Sequence, residues 1–214
     1  FVNAGYFNLF IALSNKFDIN AGLRAENSTR ELKYREQGFG FTQTYKILNE
    51  DKLDILPSIN SKYVLNDKSN LRLSLSKTIT RPVAMELLPI TYVNADGTSI
   101  KGNENLKNSD NYNADFKYEL FPNNKELFAI GVFGKLIENP IEKVFFPSAS
   151  SGGQLTTFKN SKEAILFGAE FEMIVQLSRL HESLSHFSWG FDTSFMSTDV
   201  TIDKTQQGNV FDNA

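Results

Sequence analysis

The sequence predicts an all-β fold: an antiparallel up-and-down transmembrane β-barrel, in part, with about eight strands of a larger barrel. Three observations carry this. Apolar and polar residues alternate with period two over long runs. Most runs reach the ~9–11 residues that a tilted strand needs to cross a bilayer. Short turns and long connections alternate along the chain, as they do around a membrane barrel.

The strand candidates are residues 4–13, 17–32, 54–65, 70–79, 109–120, 127–137, 163–177 and 186–198. In the second, Phe17, Ile19, Ala21, Leu23 and Ala25 oppose Asp18, Asn20, Arg24 and Glu26. In the fourth, Leu71, Leu73 and Leu75 alternate with Arg72, Ser74 and Ser76. The fifth sets Tyr112, Ala114, Phe116, Tyr118 and Leu120 against Asn111, Asn113, Asp115, Lys117 and Glu119. The eighth sets Phe187, Trp189, Phe191 and Phe195 against Ser188, Gly190, Asp192 and Ser194. Because the side-chain period is two, fixing one residue fixes the rest. Leu23, Leu73, Phe116, Tyr118, Phe171 and Trp189 are expected on the outer face, and Arg24, Arg72, Asp115, Lys117 and Glu172 on the opposite one.

Ser14-Asn-Lys16, Asn66-Asp-Lys-Ser69 and Phe121-Pro-Asn-Asn-Lys-Glu126 are built of turn formers, and residues 178–185 form a slightly longer turn. The intervening connections, residues 33–53, 80–110 and 138–162, read as long polar loops. Short turns belong at the periplasmic rim and long loops at the extracellular one. Both ends of the chain then fall on the extracellular side. The terminus, Phe211-Asp-Asn-Ala214, is not an aromatic closing strand. Residues 1–214 are therefore expected to be a fragment of a C-terminal barrel domain, with plug domain, signal peptide and final barrel strand absent.

Composition narrows the classes. Hydrophobic residues at 41% permit an ordinary core, but 19 Phe and 7 Tyr recurring at period two favour aromatics facing a membrane or a sandwich core. No apolar run approaches the ~20 residues of a spanning helix. A net charge of -3 without basic clustering argues against nucleic acid as a partner. Zero cysteines exclude disulfides and thiolate metal sites, and suit an oxidising compartment. Phe1-Val-Asn-Ala-Gly shows neither basic nor apolar leader segment, leaving a cytosolic protein or a piece of a longer chain.

The chain also resembles a known family. The run Leu-Ser-Leu-Ser-Lys-Thr-Ile-Thr-Arg-Pro82 is followed by Glu86, Leu87 and Pro89, then by Gly102-Asn-Glu-Asn-Leu-Lys107 leading into the strand at Tyr112. Gly22-Leu-Arg-Ala-Glu26, Asn139-Pro-Ile-Glu142 and Gly168-Ala-Glu-Phe-Glu172 support it. In order and spacing these are similar to the barrel of TonB-dependent outer-membrane receptors, in the subfamily often bearing an N-terminal carboxypeptidase-regulatory-like domain. Ala84 stands where that family usually has an aromatic. The resemblance implies a cell outer membrane location and a 22-stranded barrel, filled by a plug and energised through TonB. Its motif residues are Arg81, Pro82, Glu86, Leu87, Gly102, Asn103, Asn105 and Leu106. Independently, Thr80 can cap a short helix over residues 81–88 that has Pro82 in its first turn and is stopped by Pro89. Arg81 could there contact plug or loop carboxylates, or the segment could be a loop anchor without ligand contact.

No residue pattern specifies chemistry. His181 and His186, with Glu182 between them, lack the one-face spacing of a helical metal pair and read as polar rim residues. Ser183, Ser185 and Ser188 have no sequence signal for convergence on a histidine. Glu170 and Glu172 resemble an acid/base pair, but lumen carboxylates paired with Arg or Lys are the commoner case. Gly152-Gly153 lacks the strand-to-helix context of a phosphate loop. No enzyme activity, cofactor or metal is expected.

The expected function is therefore a share in an outer-membrane passage importing a glycan, peptide or metal chelate. Substrate contacts would come from loops centred near Phe39, Asp96 and Gly152, with Tyr34, Tyr45 and Tyr92 as stacking candidates. These loops show no dense basic cluster, which disfavours a highly anionic siderophore. Expected partners are outer-membrane lipid, the TonB complex through the absent plug, a surface lipoprotein and a small-molecule or oligomeric nutrient. Two rivals stand: a soluble or surface-anchored glycan-binding β-sandwich, and a passive porin or adhesin barrel. Eight strands cut from a wide barrel also leave two unpaired edges, so closure, edge pairing or membership of a larger assembly is expected.

Overall fold

The computed structural model describes residues 1–35, 45–95, 98–147 and 154–201. All eight expected strands are present: β1 (Val2–Ser14), β2 (Phe17–Arg35), β3 (Tyr45–Asn66), β4 (Ser69–Thr80), β7 (Ser109–Leu120), β8 (Leu127–Glu138), β11 (Glu163–Gln176) and β12 (Ser188–Thr201). They form one antiparallel sheet in chain order, β1-β2-β3-β4-β7-β8-β11-β12. Among the described residues β1 pairs with β2 alone and β12 with β11 alone, so the sheet is an open sector with two edges.

The register separates two media. One row crosses all eight strands as Ile11, Ile19, Ser61, Leu73, Phe116, Val132, Ala169 and Phe195. The adjacent row, one residue along, reads Ala12, Asp18, Lys62, Arg72, Lys117, Gly131, Glu170 and Ser194. Phe116 and Lys117 thus lie on opposite faces, as the alternation requires. No second apolar layer covers the first face among the described residues: Phe116 is 44%, Val132 54% and Phe195 75% exposed. A soluble sheet cannot leave such a face to water.

The apolar face also has polar limits. Phe17, Tyr63, Tyr118 and Phe171 share one row near the short turns, with Trp189 and Phe191 stacked at 6.0 Å beside it. Asp110, Glu138 and Glu163 share a row at the opposite end. From Leu120 to Asp110 the strand extends about 34 Å, which at ~40° tilt covers the ~25 Å apolar band of an outer-membrane barrel. Among the described residues no helix is long and apolar enough to cross a membrane; the strands do the crossing.

Three expectations need correction. The connection at residues 33–53 is largely strand, since β2 runs on to Arg35 and β3 starts at Tyr45. The 22 residues of β3 extend over about 70 Å, so the β2–β3 ribbon projects well beyond a bilayer. The other two long connections carry β5 (Thr91–Val93), β6 (Ser99–Lys101), β9 (Ile141–Pro147) and β10 (Gln154–Asn160), joined as a second sheet in the order β5-β6-β10-β9. Finally, the helix is only α1 (Ala84–Leu87). Thr80 ends β4 and does not cap it. Instead Glu86 Oε2, at the third helical position, reaches back and accepts the N–H of Val83, the residue preceding the helix, at 2.9 Å. Phe39, Asp96 and Gly152, with the run 148–153 and the tail 202–214, lie outside the described residues.

Candidate functional site: a charged inner wall under a structured rim

The family-like motif folds into a scaffold at the rim of the long connections. Pro82 is fully buried, and Leu87 and Leu106 are buried with it. Gly102 passes against the end of α1 so closely that a Cβ there would overlap the Leu88 carbonyl oxygen and lie 2.7 Å from that of Met85. Only glycine fits. Asn103 then ties three segments: its N–H donates to the Glu86 carbonyl at 2.6 Å, its Nδ2 donates to the Phe158 carbonyl at 2.9 Å, and its Oδ1 accepts the Asn105 N–H at 3.0 Å. The Asn139-Pro segment is equally placed, with Asn139 at φ 52°, a left-handed conformation that Asn tolerates better than most residues. Its carbonyl accepts from Ser109 Oγ at 2.9 Å and Asn160 Nδ2 at 2.8 Å.

Arg81 reaches down from this scaffold to the wall. Its Nη2 lies 2.8 Å from Glu26 Oε2 on β2 and 2.8 Å from Asp54 Oδ2 on β3, two residues paired in register. Arg24 holds the other Glu26 oxygen at 2.6 Å. The partners of Arg81 are therefore strand carboxylates, and it locks the rim to the wall. Its Nε and the Arg30 Nη1 are buried without a hydrogen-bond partner, and both arginines line a cavity of about 790 Å³ with Ser28, Glu50 and Asp51. Such guanidinium N–H groups are suited to carboxylate or phosphate oxygens.

Lower in the wall, Lys117 Nζ sits 3.4 Å from Glu170 and 3.0 Å from Glu172, and Arg72 lies 2.8 Å from Glu119. The two carboxylates share a lysine and form an ion-paired wall element. Two glycines make room there: a Cβ on Gly131 would press on the Glu170 side chain at 2.9 Å, and one on Gly168 would lie 2.5 Å from the Phe133 ring.

The three tyrosines part company. Tyr34 is buried, its hydroxyl donating to Glu104 Oε2 at 2.9 Å, so it anchors the rim loop. Tyr45 is exposed, with Arg35 4.4 Å over its ring, and Tyr92 is exposed on β5. Ala84, at the departure from the family pattern, opens α1 on its exposed side. The sequence reading found no basic cluster in the loops, yet the fold gathers Lys107, Lys159 and Lys162 with Asn103, Asn105, Asn139 and Asn160 around a hollow of about 370 Å³. No local signal could reveal it, because Lys107 and Asn160 are joined only by tertiary hydrogen bonds of 2.7 and 3.0 Å.

At the opposite rim, His181 Nδ1 accepts the Ser183 N–H at 3.3 Å and caps a short 3₁₀ turn. Beside it Glu126 is enclosed by Arg179 Nε and Nη2 at 2.6 and 2.7 Å, by the Gln176 N–H at 3.1 Å and by Asn123 Nδ2 at 2.6 Å. Chiefly the Arg179 guanidinium holds its carboxyl down to about 2.

An open sheet with a lipid-type face, an ion-paired inner face and a rim sheet defines a sector of an outer-membrane barrel. A family model described as the outer membrane protein beta-barrel family matches residues 1–213, and the chain belongs to that family. Its place is the outer membrane. No curated protein matches it. Among solved structures it is similar to a ferric enterobactin receptor mutant (PfeA) of Pseudomonas aeruginosa, with TM-score 0.64 and 15% identity over 92% of this chain and 27% of that one. It is similar also to the siderophore receptor PirA of Pseudomonas aeruginosa, with TM-score 0.61 and 19% identity over 93% and 42%. For the copper transporter OprC the values are 0.69 and 14% over 92% and 29%. At these identities the likeness is one of fold, and the chain spans less than half the length of each.

Proposed function

We propose that this chain forms part of the wall and extracellular rim of a TonB-dependent importer, in the subfamily often carrying an N-terminal carboxypeptidase-regulatory-like domain. The observation that supports this best is the rim itself. The Arg81-Pro82 and Gly102-Asn103 segments lock a second sheet onto the wall through Glu26 and Asp54, holding a vestibule in place above the passage. The similar solved structures include receptors for iron chelates and a copper transporter, which favours import over adhesion. The substrate is a polar nutrient, a glycan, peptide or metal chelate, met by the asparagine and lysine groups of the rim. The segment contributes binding surface and passage and carries out no chemistry. A plug borne elsewhere in the protein would couple it to TonB, and a surface lipoprotein would present oligomeric substrates.

Uptake of candidate nutrients by cells carrying the whole protein, with and without TonB, tests this. Uptake that stops without TonB is expected. Undiminished uptake would make the barrel a passive porin, and absence of the protein from the outer-membrane fraction would favour a soluble glycan-binding sandwich.

A further inference from the structure

Charge is unevenly distributed where the rim meets the wall. Lys107, Lys159 and Lys162 all line the hollow of about 370 Å³, and among the described residues no carboxylate does. The acids near it in the chain are placed elsewhere. The Glu104 carboxylate accepts the Tyr34 hydroxyl at 2.9 Å. Glu142 is the register partner of Lys159 across β9 and β10. Glu138 and Glu163 share the outer-face row with Asp110. Lys107 and Lys162 are exposed and have no ion-pair partner among the described residues. Two ammonium charges at one hollow are therefore left without an internal counterion.

The wall around them is held in place by other groups. Asn160 Oδ1 accepts the Lys107 N–H at 2.7 Å, and its Nδ2 donates to the Lys107 and Asn139 carbonyls at 3.0 and 2.8 Å. Asn103 is likewise engaged with the Phe158 carbonyl and the Asn105 N–H. The side-chain amides of Asn105 and Asn139 make no hydrogen bond among the described residues, so their donors remain open. The register also gives the side of the sheet. Lys162 stands two residues before Ala164, whose row runs through Ile137 and Asn111 on the polar inner face. Lys107 stands two before Ser109, which has the same parity as Asn111. Both lysines thus belong to the aqueous side, away from lipid.

The residue types narrow the ligand. Lysine is a compact point charge with three donors, whereas the guanidinium fork that matches a planar carboxylate is absent from the lining. A phosphate monoester carries about −1.5 to −2 at pH 7 and three strong acceptor oxygens, which balances two ammonium charges. A carboxylate would balance one, and a neutral sugar none. The volume, near the low end of the ~300–1,000 Å³ of small-ligand sites, has room for one such group and its immediate carrier.

We propose that this hollow is a subsite for a phosphate monoester on the imported nutrient, with Lys107 and Lys162 meeting the phosphate oxygens. The assignment of the ligand as a nutrient rests on the import reading above; the phosphate site itself is measured independently of transport.

Phosphorus NMR of inorganic phosphate and of glucose 6-phosphate, each titrated with the whole protein in detergent, tests it. Both resonances are expected to broaden, and the broadening of glucose 6-phosphate should be relieved by excess inorganic phosphate but not by excess glucose. Lys107→Gln combined with Lys162→Gln should weaken binding about tenfold or more, the loss of one charged contact or more. These substitutions alter exposed side chains, and the hydrogen bonds that hold Lys107 are made by its backbone. Lys143→Gln, on β9 outside the hollow, should bind as the wild type does. No broadening of either probe, relief by glucose, or equal binding by the double variant would overturn the site, and an equal loss in Lys143→Gln would reduce it to general rim charge. TonB-dependent uptake without phosphate binding would remove this inference and leave the import reading standing; phosphate binding with TonB-independent uptake would keep the site and remove that reading.

Discussion

A methyl group on Gly102 has nowhere to go, whereas one on Gly134 has open space. Gly102→Ala should therefore destabilise the rim by about 1–3 kcal/mol, the usual cost of overpacking, read as faster proteolysis of the 80–110 connection and a lower unfolding midpoint. Gly134→Ala should be neutral or slightly stabilising by the same measurements. Glu126 gives a pH signature. Its carboxyl titrates near 2, below the ordinary 4.5, because Arg179 favours the ionised form. A lowered folded-state value stabilises above the unfolded one, so its contribution is complete above pH 4.5 and is lost as pH falls toward 2. Protection of the turn at residues 177–187 against hydrogen exchange, taken relative to the intrinsic rate at each pH, should fall across that window, and in Glu126→Gln it should be low already at neutral pH and nearly independent of pH. The glycines at 22, 102 and 168 stand in the sequence as motif letters. The atoms that demand them, the Asn8 and Ser58 side chains, the Leu88 carbonyl and the Phe133 ring, become visible only in the fold.

The eight long strands were legible at the scale of the element, since each repeats its period often enough to fix the face of every residue from Leu23 to Trp189. Phe116→Arg should cost about 2–4 kcal/mol of folding into vesicles, while Asp115→Arg, one residue away on the aqueous face, should cost little. The rim sheet was not legible. Three residues such as Thr91–Val93 show no period, and β10 pairs in parallel with β6 across more than fifty residues of chain. α1 was legible in position but not in its capping: Val83 precedes it, and the reciprocal acceptor is Glu86. The link from rim to wall was half legible, because Arg81 was singled out while its partners were sought in plug or loop. A double-mutant cycle of Arg81→Gln with Asp54→Asn should return a coupling of about 0.5–3 kcal/mol, measured by chemical unfolding in detergent. Additive losses would remove Arg81 as the lock.

For the whole molecule, the amounts of apolar and polar surface decide the reading. One face of the eight-stranded sheet carries aromatic and aliphatic side chains with nothing packed on them among the described residues, and the other carries Lys117, Glu170, Glu172, Arg72 and Glu119 in ion pairs. The same sequence pattern would fit a sandwich, so the alternation alone left that rival standing. The open order of the strands, with no apolar covering layer among the described residues, favours the barrel over that rival. The most direct test is helped by the absence of cysteine from these 214 residues, any cysteine elsewhere in the whole protein being replaced by serine. Single cysteines placed in turn at residues 112–118 of the whole protein in outer-membrane vesicles, spin-labelled, would be scored for collision with oxygen, which partitions into lipid, and with a water-soluble nickel chelate. The account predicts strict alternation, with 112, 114, 116 and 118 open to oxygen and 113, 115 and 117 open to the chelate. Labels at 114 and 116 shielded from both reagents would mean that the apolar face packs against protein, and would contradict it.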